Sequence, residues 1–142
     1  MAADSRLESG APKGALEVEA GLLHQAQATI EAVGLEVRDT VIQQKLAKME
    51  VARMNVQNLV FRTIELSKAG KTMTFAEASA MKLYSSEAAT EVAMEAVQLF
   101  GGNGYMAEYR VEQLARDAKS LMIYAGSNEI QVTHIAKGLL AR

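Results

Sequence analysis

The chain is 142 residues long, 49% hydrophobic and 23% charged, with 15 Lys and Arg against 17 Asp and Glu. That is the length of one domain with enough apolar material for a core, and a net charge of −2 with no basic run excludes the field that grips nucleic acid. The lack of cysteine excludes disulfides, zinc–thiolate sites, iron–sulfur clusters and cysteine nucleophiles, and favours an intracellular, cytoplasmic home.

Residues 1–14 carry Gly10, Pro12 and Gly14 with few large apolar groups, and are expected to form a disordered leader or a truncated start. They contain no apolar signal segment, and no stretch of the chain reaches the ~18 consecutive apolar residues of a membrane span. A single proline in 142 residues is far below the usual ~5%. Proline breaks helix interiors, so its scarcity predicts long helices and an all-α domain over residues 15–142.

The first helix is expected from Ala15 to Val33, with Leu22, Leu23, Ala26 and Ile30 on one face and Gly34 as its stop. A longer one starts near Asp39 or Thr40, where Thr40-x-x-Gln43 fits a capping box. Ile42, Leu46, Met49, Ala52, Val56, Leu59 and Thr63 then recur at the helical period until Gly70. Thr74-x-x-Glu77 opens a third helix that runs to Phe100 and is filled with alanine and serine. Small side chains there let another helix approach closely. Gly101-Gly102-Asn103-Gly104 should end it abruptly.

A short helix is expected over Val111–Met122, and a turn at Ala125-Gly126 leads to a last helix with Ser127 as N-cap. Ile130, Val132, Ile135, Leu139 and Leu140 are expected to pack inward from it. No segment alternates with period two, so no sheet is expected. The predicted architecture is an up-down four-helix bundle with short extra helices.

Neither His24 nor His134 has a glutamate three residues before it, so the Glu-x-x-His pairs of bundle metal sites are missing. Both histidines are expected to be solvated or capping. Arg116-Asp117 suggests an ion pair of architectural weight. Two places could meet an anion: the glycine cluster at 101–104, through exposed backbone N–H groups, and the helix start at Ser127-Asn128-Glu129. Each has an ordinary structural reading as well, a C-cap and an N-cap.

Taken together, Gln98-Leu-Phe-Gly-Gly-Asn-Gly-Tyr105 and Arg116-Asp-Ala-Lys-Ser-Leu-Met-Ile-Tyr-Ala-Gly-Ser-Asn-Glu-Ile-Gln131 resemble the C-terminal domain of the acyl-CoA dehydrogenases. The resemblance runs from about Asp39 to Leu140. It implies a bundle that packs against its counterparts in an oligomer, and two preceding domains, one helical and one β. It also implies FAD-dependent desaturation of an acyl-CoA thioester: a carboxylate takes the α-proton and the flavin takes the β-hydride. Gln98, Gly101 and Gly102 would then contact FAD held mainly by a neighbouring subunit. Ser127 and Glu129 would contact FAD near the turn, and Tyr124 and Gly126 would border the thioester.

Two departures qualify that expectation. Ala125 stands where many members carry the glutamate base, and alanine cannot accept a proton, so no catalytic residue is assigned. Glu17 or Glu19 on the first helix is the alternative location for a base. The arginine-phenylalanine-glycine signature of the family is also not visible around Gly34–Thr40, and the domains that would hold most of the flavin are not in this chain. Two expectations follow. The chain is either the C-terminal part of an acyl-CoA dehydrogenase, inactive without a flavin-holding chain, or a non-catalytic assembly subunit that has lost its base.

Overall fold

The computed structural model describes residues 40–141. The expected leader, the expected helix over Ala15–Val33, His24, Glu17 and Glu19 all lie outside the described residues. Among the described residues there are four α-helices and no strand: α1 (Thr40–Lys68), α2 (Phe75–Phe100), α3 (Arg110–Leu121) and α4 (Asn128–Leu140). A 3₁₀ turn, Gly101–Tyr105, follows α2. The expected all-α class is thus observed, with boundaries within a residue or two of those predicted.

Helix α2 is the axis of the fold, because each of the other three packs against it. Its start is a complete capping box: Thr74 accepts from the Glu77 amide, and the Glu77 carboxylate accepts from the Thr74 amide at 2.9 Å. Two otherwise unpaired donors are satisfied at once. Its buried positions are mostly small, Ser79, Ser85, Ser86, Ala88, Ala89, Ala93 and Ala96. They place neighbouring backbones close together, as where Gly138 of α4 crosses Ala76.

The partners along α2 reveal the topology. Asn55 meets Tyr84 and Arg62 meets Glu77, so α1 runs antiparallel to α2. Thr90 reaches the Ala118 carbonyl on α3 at 3.2 Å, while Asn128 on α4 meets Lys82 and Ser86. Helices α3 and α4 therefore lie one after the other along the same flank of α2. The corner at 122–127 is the break between them.

The main core joins Met49 of α1, Val92, Ala93 and Ala96 of α2, and Val111, Leu114 and Ala118 of α3. A second cluster holds Val56, Ala88, Ala89 and Leu121. Met49 and Val56, expected from the α1 periodicity, are both buried, whereas Ile64 at the far end is 43% exposed.

The expected inward face of α4 is corrected by the structure. Ile130, Val132, Leu139 and Leu140 are exposed, from 49% to 87%. Of the five expected residues only Ile135 is half-buried; the buried residues are Asn128 and Gln131, with His134 and Gly138 also half-buried. The reason is spacing: positions 128, 131, 134 and 138 share one helical stripe, and its small or polar members fit the close approach that α2 dictates. His134 is half-buried, with Nδ1 3.5 Å from the Ser79 hydroxyl. Its ring packs 4.5 Å from that of Phe75. Arg116 is paired with Glu112 one turn earlier, at 2.8 Å, and not with the adjacent Asp117 as expected.

Candidate functional site at two backbone corners

The first corner closes α2. Gln98 is exposed on the last turn, and the Gly101 amide donates to the Gln98 carbonyl. The helix ends at Phe100 as the glycine run suggested, with Gly101 at φ 58° as its C-cap, and the chain then turns through the 3₁₀ segment. Gly101 and Gly102 are exposed, and a Cβ built on either meets nothing within 4 Å. Gly104 is different. A Cβ there would stand 2.4 Å from the Val97 carbonyl oxygen, a contact that backbone cannot relieve. This corner is folded tightly against its own helix and offers the backbone of 101–102 outward.

The second corner precedes α4. Tyr124, Ala125 and Gly126 are all exposed. Two consecutive residues have positive φ, Ala125 at 54° and Gly126 at 82°. An alanine in that region is uncommon and costs about 1 kcal/mol or more, so neighbours must hold it. Gln131 does so, with Nε2 donating to the Ala125 carbonyl at 3.2 Å and the Gly126 carbonyl at 3.0 Å. The Asn128 amide donates to the Met122 carbonyl at 3.0 Å and closes the loop.

Ser127 occupies the N-cap position as expected, but its hydroxyl accepts no N–H from the first turn. The cap is a backbone one, in which the Ser127 carbonyl accepts from Gln131. The Ser127 hydroxyl bears on Glu129 instead. That hydrogen bond, the backbone N–H of Glu129 and, at longer range, Lys119 and Lys82 hold the Glu129 carboxyl below its usual value. Glu129 is therefore an ionised acceptor at neutral pH. Nothing at this corner accepts a proton in the place of Ala125, which has only a methyl group.

The structure does not bring the two groups of predicted residues together. Asn128 faces Lys82 and Ser86, whereas the first corner begins at Gly101. At a rise of about 1.5 Å per residue, those levels of α2 are roughly 20–28 Å apart. Two grooves of about 590 and 550 Å³ do exist, but they lie between α1 and α2 and touch neither corner. Each corner is an open surface, not an enclosed pocket.

Two residues escaped the sequence reading. Gln131 pins the strained turn from one helical turn away. Lys82 is buried, 6% exposed, with Nζ 2.8 Å from Asn128 Oδ1. Burial pulls its ammonium below the ordinary value of 10.5, and Glu129 partly offsets that. A lysine on a helix face otherwise made of serine and alanine is a signal that could have found it.

Residues 14–140 match the family described as Acyl-CoA dehydrogenase, C-terminal domain. An acyl-CoA dehydrogenase of Bacillus subtilis is 45% identical over 96 residues, which cover 68% of this chain and 25% of that protein. Butyryl-CoA dehydrogenase of Megasphaera elsdenii is similar in structure, with a TM-score of 0.69 at 34% identity, covering 92% of this chain and 37% of the other. A glutaryl-CoA dehydrogenase of Mycobacterium smegmatis in complex with FADH2 gives a TM-score of 0.82 at 26% identity, covering 93% and 35%. The chain thus spans about a quarter to somewhat over a third of the length of these proteins. With the bundle, both corner motifs and the family match in agreement, the chain belongs to the acyl-CoA dehydrogenase family, of which it carries the C-terminal helical domain.

Proposed function

We propose that this chain completes the flavin and substrate sites of an FAD-dependent acyl-CoA dehydrogenase whose remaining walls come from other domains or a second chain. The observation that carries this reading is the pair of outward-facing corners, each too open to enclose a cofactor alone. Ligand pockets bury most of their ligand, so surfaces of this kind work as one wall among several. Gly101 and Gly102, with free space where a Cβ would stand, let a phosphate-bearing group approach the backbone, and Gln98 adds an amide beside them. The roughly 20–28 Å of α2 between the levels of the two corners supports each serving a different part of the assembled cofactor set, with FAD held mainly by a neighbouring subunit at the first.

At the second corner, Glu129 is negative and would repel a pyrophosphate. Its chemistry fits a hydroxyl or N–H donor of the cofactor, with Ser127 beside it. Tyr124 and Gly126 would border the acyl thioester. Bound FAD supplies the hydride acceptor of a 2,3-desaturation. This chain binds and orients at these residues, and the proton acceptor must come from elsewhere, because Ala125 has none.

The test is to purify the 142-residue chain with the chains encoded beside it and record flavin absorbance. Flavin that co-purifies, and is lost when Gln98 and Glu129 are both replaced by alanine, supports the reading. A colourless, correctly assembled complex refutes it. In a flavin-loaded complex, Ala125→Glu should change the rate of acyl-CoA oxidation. An unchanged rate would mean that the thioester does not lie beside this corner.

A second reading has its own support. The missing carboxylate at Ala125 and the exposed Ile130, Val132, Leu139 and Leu140 suit a non-catalytic assembly subunit, whose outward α4 face joins copies of itself or a larger dehydrogenase. Such a subunit would form the same oligomers and never bind flavin. Both readings predict self- or hetero-association; a strict monomer at tens of micromolar in sedimentation contradicts both.

A further inference from the structure

Lys82 is the one charged residue that is buried among the described residues. Sequestering an ammonium is costly unless its partners are well placed, and a methionine would fill the same space with no such cost. The partners here are specific. Lys82 Nζ donates to Asn128 Oδ1 at 2.8 Å, and the Ser86 hydroxyl lies 3.0 Å from the same oxygen while sharing its one proton with the Leu83 carbonyl, also at 3.0 Å. Asn128 is itself 6% exposed, and its Nδ2 is buried without a hydrogen-bond partner. Two groups on α2 thus converge on one oxygen, while the other half of that amide is left unsatisfied. Packing alone does not favour such an arrangement, because an orphaned buried donor is costly.

The location explains its use. Asn128 is the first residue of α4, and its amide closes the corner on the Met122 carbonyl. The other fastener, Gln131, belongs to the same helical turn. Both holds on the positive-φ pair Ala125-Gly126 therefore originate in the first turn of α4. That turn is keyed to α2 by the Lys82–Asn128–Ser86 contact, at the point where α3 and α4 break apart.

We propose that Lys82 is a positioning residue: acting through Asn128 with Ser86, it sets the place and rotation of the 122–127 corner on α2. Its purpose, a correctly shaped cofactor and thioester wall, rests on the function proposed above. The hold on the corner does not.

The experiment compares the full 142-residue chain with Lys82→Met and Ser86→Ala by hydrogen exchange and thermal melting. In Lys82→Met, amide exchange over residues 123–128 should rise tenfold or more while exchange within Phe75–Phe100 stays the same. The melting temperature should hold or increase, since a buried charge has been removed. Ser86→Ala should produce a smaller rise in the same segment, and serves alone if Lys82→Met does not fold. Unchanged exchange at 123–128 overturns the proposal, and so does an equal rise in every helix, which would signify general destabilisation. In a flavin-loaded complex, Lys82→Met should weaken flavin retention tenfold or more; unaltered retention breaks the link from corner to cofactor. A wild-type complex without flavin would defeat the functional reading and leave the exchange result standing.

Discussion

The corner after α2 and the corner before α4 solve the same problem, a change of chain direction with backbone turned outward, by opposite means. The first is self-contained: its 3₁₀ turn leans on the helix it ends, with Gly104 wedged against the Val97 carbonyl. The second is borrowed. Its positive-φ residues are held by Gln131 and Asn128, and Asn128 is in turn bonded to a lysine from another helix. A self-contained turn should fail by steric insult within it, whereas a borrowed one should fail when distant support is removed.

The largest effect is expected from Gly104→Ala. A Cβ 2.4 Å from backbone oxygen forces the turn off α2, at about 3 kcal/mol, which for a domain of this size lowers Tm by several degrees. A neutral outcome would show that the first corner is looser than its packing indicates. Gly126→Ala comes next. At φ 82°, with Gln131 Nε2 2.7 Å from the new Cβ, it adds backbone strain and displaces the fastener. About 2 kcal/mol is expected, measurable by denaturant unfolding, with the exchange of residues 123–128 affected first.

Gly102→Ala should sharpen the contrast from the other side. Nothing lies within 4 Å of its Cβ and its φ is not positive, so stability should stay within about 0.5 kcal/mol. Any loss of flavin from a complete enzyme carrying this variant would then report on backbone contact and not on folding.

The smallest effect is that of acid. The Glu129 carboxyl titrates below its ordinary 4.5 in the folded chain, so its stabilising interactions are complete above that value. They are lost as pH falls from about 4.5 through the lower folded value. Exchange at 123–128 should accelerate in that window in the wild type and less in Glu129→Gln. The first corner, which has no titrating group of this kind, should show no matching step.

Much of this was legible from residue order alone. The Thr74–Glu77 capping box, the glycines at 70 and 101 and the α1 periodicity locate the long helices, because these are local effects carried by neighbours in the chain. The face of α4 was not legible. Counting its isoleucines, valine and leucines points inward, but which stripe meets α2 is decided by the small residues at 76 and 138 across a crossing that sequence does not display. Lys82 was hidden for a related reason. A lysine is ordinarily solvated, and only its partners on α4, 46 residues away along the chain, turn it into an internal strut. Of the residues proposed for cofactor contact, Gln98, Gly101, Gly102 and Glu129 are exposed and Ser127 is half-buried. The distance between the two groups is a property of the helix they flank and appears in neither motif.

Position 125 has one consequence beyond its missing carboxylate. The turn already tolerates a side chain in the left-handed region, and that side chain is displayed to the outside without taking part in any packing cluster. Packing therefore does not restrict an unbranched side chain mounted there, although the left-handed backbone disfavours a β-branched one. Reactivity could be gained or surrendered by a single codon with the rest of the bundle unaware of it, so a catalyst and its inert sibling can share one frame.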